Sequence, residues 1–110
     1  MSLARDMQFD TRCPLTRTLV EHVTSKWGVL VLLALDERTM RWSELKREIE
    51  GVSEKMLIQT LQTLEADGLV LRTAHPVVPP HVEYTLTPAG HEAAELLAPL
   101  VTWAFHRMQA

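Results

Sequence analysis

Between Ser43 and Leu86 the apolar residues change period twice, and that change leaves few architectures open. Leu45 and Ile49 stand one helical turn apart. After a break at Glu50-Gly51-Val52, Met56, Leu57, Leu61 and Leu64 form a second helical stripe. From Leu69 to Thr73 the residues become apolar and β-branched, and Val82, Tyr84 and Leu86 then alternate with Glu83 and Thr85, as in strands. The expected order is a short helix, a tight turn, a second helix and a two-stranded hairpin.

The residues between these segments fit that order. Ser43 is expected to cap the first helix, and Gly51 tolerates the left-handed backbone common just past a helix end. Ser53 caps the second helix, Glu54 places negative charge at its positive end, and Asp67-Gly68 stops it. Glu54, Lys55, Ile58, Gln59 and Gln62 lie mostly off its apolar stripe. The segment Ala74 to His81 holds three prolines, which cannot donate ladder hydrogen bonds and stiffen it into an extended arm. Thr87 as cap with Pro88 at the first helical position starts another helix. This is the order of a winged helix-turn-helix, a module that lays one helix in a DNA groove.

The flanking segments complete one domain, residues 13–110, mostly α with a small β-hairpin wing. Residues 1–12 have no clear period and read as a loose arm, whose Leu3, Met7 and Phe9 are suited to pack on a partner subunit. Pro14 opens a helix with Leu15, Leu19, Val20 and Val23 on its apolar face. Ser25 caps the next, and Trp27 to Leu35 is apolar almost all round, as a buried centre is. Thr39 to Trp42 is expected to be a short strand completing the sheet. The last helix, about 88–108, carries more apolar surface than one face of a small domain needs, with Pro99 expected to kink or break it near Ala98. A homodimer built from the first and last helices would cover that surface, through Leu15, Leu19, Leu96, Leu97, Leu100, Val101, Trp103 and Ala104. The alternative is a helix folded back on its own core.

Composition bounds the function. Eleven Lys and Arg against 14 Asp and Glu give a net charge of −3, so a basic patch has to come from folding that separates the two signs. No apolar run approaches the roughly 18 residues of a membrane span, and no secretory signal is read, so a cytoplasmic protein is expected. No phosphate-binding glycine loop or nucleophile elbow points to an enzyme, and no cofactor is implied. The five histidines are scattered without zinc spacing, so no metal site is expected and His75 and His81 read as wing-tip residues. Trp27, Trp42 and Trp103 read as core and interface anchors, with a small aromatic effector between subunits as the alternative.

Taken together, Cys13-Pro14, Lys26-Trp27, Trp42-Ser43-Glu44-Leu45, Ser53 with Lys55-Met56-Leu57, and Gln59-Thr60-Leu61 resemble the HxlR-type family of small bacterial winged helix-turn-helix regulators. The resemblance continues through Leu64-Glu65, Asp67-Gly68-Leu69-Val70, Arg72, Val78-Pro79-Pro80, Val82-Glu83-Tyr84 and Leu86-Thr87 with Gly90. It implies a homodimeric DNA-binding transcription regulator of a bacterium or archaeon. The chain departs from the family pattern at His75, often tyrosine, and at His81 and Gln62, both often arginine. These departures remove positive charge where phosphate is expected, and lend some support to the alternative reading, a protein-interaction dimer that has lost DNA binding.

Double-stranded DNA is the expected partner. Lys55, Gln59 and Gln62, with Ser53 and Thr60 as weaker candidates, sit where base edges would be read, and Ile58 suits a thymine methyl. Arg41, Ser43, Lys46 and Arg47 are placed for the backbone, and Arg72 and His81 for the wing's contact with it. Cys13, at a helix start between Arg12 and Arg17, is the candidate redox sensor, where the helix dipole favours a thiolate. Some relatives in this family sense oxidants or electrophiles through a cysteine at that position; the other reading is a small apolar residue in the fold.

Overall fold

The computed structural model describes residues 13–109. Its elements run α1 (Pro14–Thr24), α2 (Lys26–Ala34), β1 (Met40–Arg41), α3 (Trp42–Glu48), α4 (Glu54–Ala66), β2 (Val70–His75), β3 (His81–Leu86) and α5 (Pro88–Met108). The expected arm, residues 1–12, lies outside the described residues. The strands form one antiparallel sheet in the order β1-β3-β2. Helices α3 and α4 are the helix-turn-helix and β2-β3 the wing, so the fold is the expected winged helix-turn-helix.

One apolar core holds these parts together. Val31, Leu32 and Leu35 from the α2 segment, Leu45 of α3, and Leu57, Leu61 and Leu64 of α4 form its centre. Met40, Tyr84 and Leu86 close it from the sheet, and Ala94 and Leu97 from α5. Burying a side chain of leucine size stabilises the fold by about 1.5–3 kcal/mol. Helix α4 packs against α1, α2 and β2, so its outward face is presented by a firmly held rod.

Local bonds set the helix starts where short-range chemistry places them. Ser25 Oγ accepts from the Gly28 N–H at 3.2 Å, Ser53 Oγ from Met56 at 3.1 Å, and Thr87 Oγ1 from Gly90 at 3.1 Å. Gly51 (φ +87°) makes the turn between α3 and α4, and Gly68 (φ +77°) ends α4. The Thr87 hydroxyl also donates to the Gly68 carbonyl at 2.6 Å, and the Thr87 N–H to the Leu69 carbonyl at 3.0 Å. These bonds join the end of α4 to the start of α5. His22 Nδ1, 2.8 Å from Asp67 Oδ2, ties α1 to the same corner.

Several expectations are corrected. Ser43 does not cap α3: Arg41 is the cap residue, its N–H donating to Glu44 Oε1 at 2.8 Å, and Ser43 lies inside the first turn. Met56 is not core; it is 38% exposed and faces a cleft between α1 and α4 with Glu21, His22 and Thr60. The strands reach further than expected, pairing through His75 and His81, so the loop is only Pro76 to Pro80. Pro99 does not break α5, which runs through it. Leu97 is 7% exposed and belongs to its own domain's core, not to the outer face. No helix among the described residues is long and apolar enough to cross a membrane.

Candidate nucleic-acid interface

The outward face of α4 is built by residue spacing. With Leu57, Leu61 and Leu64 turned inward, Lys55, Ile58, Gln59 and Gln62 recur at three- and four-residue steps on the opposite side. All four are exposed, and they line one open groove. Ser53 at the head of the helix is exposed, although its hydroxyl is engaged as the cap. Thr60 is half-buried, and its hydroxyl donates to the Met56 carbonyl at 2.7 Å, which leaves it the weakest of the group.

The remaining basic candidates lie on other elements. Arg41 and Arg47 are exposed and Lys46 is half-buried along β1 and α3, and Ser43 is exposed beside them. Arg38 instead pairs with Glu48 at 3.1 Å. Among the described residues no ion pair holds Arg41, Lys46, Arg47, Lys55 or Arg72, so those heads are available to an anion.

The wing residues divide between two faces. Arg72 is the register partner of Tyr84, and both line a groove with Ile58, Gln62 and Glu65 of α4. Arg72 therefore continues the α4 surface. His81 lies on the other face of the sheet, since successive strand residues alternate sides. There it meets Glu83 at 3.1 Å, beside His75. The structure thus brings Arg72 to α4 and takes His81 away from it. The His75–His81 pairing depends on hairpin register, and the alternation of His81 with Glu83 is its one trace in the sequence.

On α1 and α5, Leu15 and Leu96 are 82% and 79% exposed, and Leu19, Leu100, Val101, Trp103 and Ala104 are also exposed. The outer half of α5, beyond Leu97, makes almost no core. Cys13 is the N-cap residue of α1, half-buried, with Pro14 following at the first helical position.

A helix-turn-helix with its second helix outward and a hairpin wing beside it defines the winged class of DNA-binding transcription regulators. The HxlR-like helix-turn-helix family profile matches residues 22–110, and the chain belongs to that family. It is 58% identical over 95 residues to the HTH-type transcriptional regulator YtfH of Escherichia coli, spanning 86% of this chain and 75% of that one. The solved structure of the regulator ytfH from Salmonella typhimurium superposes with a TM-score of 0.78 at 54% identity, covering 86% of this chain and 84% of the other. The redox regulator HypR in its oxidized form superposes with a TM-score of 0.78 at 30% identity, covering 89% of this chain and all of that one.

Proposed function

We propose that the protein is a cytoplasmic, sequence-specific DNA-binding transcription regulator that reads an inverted repeat as a homodimer. The observation that carries this is the exposed Lys55-Ile58-Gln59-Gln62 face on a helix whose opposite side is locked into the core. In a twofold dimer two such helices enter successive major grooves about 34 Å apart. Gln59 matches the donor and acceptor pattern of adenine, and Lys55 reaches guanine or a phosphate. Arg41, Lys46, Arg47 and Arg72 hold the backbone and set register.

Selection of bound sequences from random duplex DNA supplies the operator, and anisotropy titrations then test the roles. Gln59→Ala should lower affinity for the selected sequence by about tenfold or more and leave random duplex unchanged. Arg47→Ala should weaken both alike and reduce the salt slope by about 0.9 per lost phosphate contact. Equal effects of both substitutions on both duplexes would reject this division. Absence of salt-sensitive retention on heparin and random duplex would favour the protein-interaction reading instead.

Cys13 is proposed as the point at which oxidants or electrophiles act, supported by its place at the head of α1 and by the similarity to a named redox regulator. Its products are a Cys13–Cys13 bridge between subunits or an adduct with a small thiol or quinone. Diamide should lower operator affinity of the native protein and leave Cys13→Ser unaffected. Unchanged affinity of the native protein would end this reading.

A further inference from the structure

Histidines that are scattered along the chain meet at the tip of the wing. His75 ends β2, His81 begins β3, and the two are register partners across the hairpin. Their rings stack with centroids 4.7 Å apart and planes 28° from parallel. Glu83 follows two residues along β3 and so projects from the same face. Its Oε1 lies 3.3 Å from His75 Nε2 and 3.1 Å from His81 Nε2. One carboxylate oxygen thus sits between two imidazole nitrogens, and the three atoms lie within 4.8 Å of one another.

We propose that His75, His81 and Glu83 bind a divalent transition-metal ion, zinc fitting best, and that the ion clips the two wing strands together at their tip. Two imidazoles and a carboxylate are the donors that borderline ions prefer, whereas magnesium and calcium select all-oxygen sets. Ligands at 2.0–2.2 Å around a tetrahedral ion lie about 3.3 Å from each other. Both nitrogen–oxygen separations already match that edge. The third edge, between the imidazoles, closes by rotation of side chains 38% and 22% exposed. Their partial exposure also leaves room for water at the fourth position, the arrangement of an open three-ligand site.

The backbone is ready for the ion. The ladder from Val70–Leu86 to His75–His81 already holds the two strands, so closing the site orders only side chains. Binding replaces the His81–Glu83 hydrogen bond and the His75–Glu83 contact: each ring offers its Nε2 lone pair, keeps a proton at Nδ1, and releases any second proton. His22 and His91 provide the contrast. Each meets a single carboxylate, Asp67 at 2.8 Å and Asp36 at 3.2 Å, and neither belongs to a three-donor group among the described residues. The ion also reverses the local charge, from one carboxylate to a net positive centre. Any effect of that charge on DNA rests on the reading of the wing as a backbone contact, but the metal site does not.

Calorimetry with Zn2+ and visible absorption with Co2+, on the full chain after chelator treatment, test the site. We expect one ion per protomer at micromolar affinity or better, with tetrahedral Co2+ bands. His75→Gln, His81→Gln and Glu83→Gln should each weaken binding at least tenfold, and His91→Gln should leave it unchanged. All four side chains are partly exposed, and circular dichroism verifies the fold of each variant. Native protein that binds no Zn2+ at micromolar concentration, or a folded His81→Gln that binds it equally well, overturns the proposal. A chain that binds Zn2+ through these residues and retains no duplex would sustain the metal site while ending the DNA reading.

Discussion

Gly90→Ala is expected to lower stability by about 3 kcal/mol or more, enough to unfold much of a marginal domain. The cause is close approach, since the left-handed glycines are Gly51 and Gly68. A Cβ at position 90 would run into the carbonyl oxygen of Leu69, with the Leu69 carbonyl carbon at 3.1 Å and Leu86 Cβ at 3.2 Å. A flexible side chain can swing away, but this oxygen belongs to the backbone and accepts the Thr87 N–H at 3.0 Å. Moving it breaks the corner between α4 and α5. Urea unfolding followed by tryptophan fluorescence measures the loss. His91→Ala, one residue on, is the control: it removes a partly exposed pair with Asp36 and should cost less than about 1 kcal/mol. A Gly90→Ala midpoint equal to that of the native chain would mean that α5 does not sit on Leu69 as described.

Placing two charges on the exposed face of α5 should have the largest effect on DNA. Leu96 and Leu100 are 79% and 56% exposed, so Leu96→Glu with Leu100→Glu disturbs little of the protomer's own core. In the proposed dimer the same positions are buried against a partner, where unpaired carboxylates are strongly unfavourable. The double variant should sediment as a folded monomer at micromolar concentration. Its affinity for the inverted repeat should fall on the order of a hundredfold, because the second half-site no longer binds at high effective concentration. A double variant that remains dimeric, or a native protein that is monomeric, removes α5 as the dimer surface.

What was legible in the sequence was what local chemistry decides. Ser25, Ser53 and Thr87 cap their helices by bonds reaching only three residues. Gly51 and Gly68 mark turns because few other residues take their backbone angles. Ser43 lies inside α3 because Glu44 satisfies the Arg41 N–H, which sets the helix start at Trp42. Met56 and Leu57 are neighbours in one stripe, and only the packing of α1 and α2 decides that Leu57 is core and Met56 lines a cleft. Leu96 and Leu97 divide in the same way. The polar face of α4 could be read from its period, but the opposite placements of Arg72 and His81 follow from strand register, which the short Pro76 to Pro80 loop fixes.

The Thr87 corner has a mechanical consequence. Because its hydroxyl and N–H fasten Gly68 and Leu69, α4 and the long terminal helix cannot bend relative to each other there without losing both bonds. With 21 residues, α5 is about 30 Å long, so a tilt of about 6° at one end displaces the other by about 3 Å. Whatever grips the outer half of that rod thus steers α4 as a rigid pointer, converting a small rotation into a change of reach.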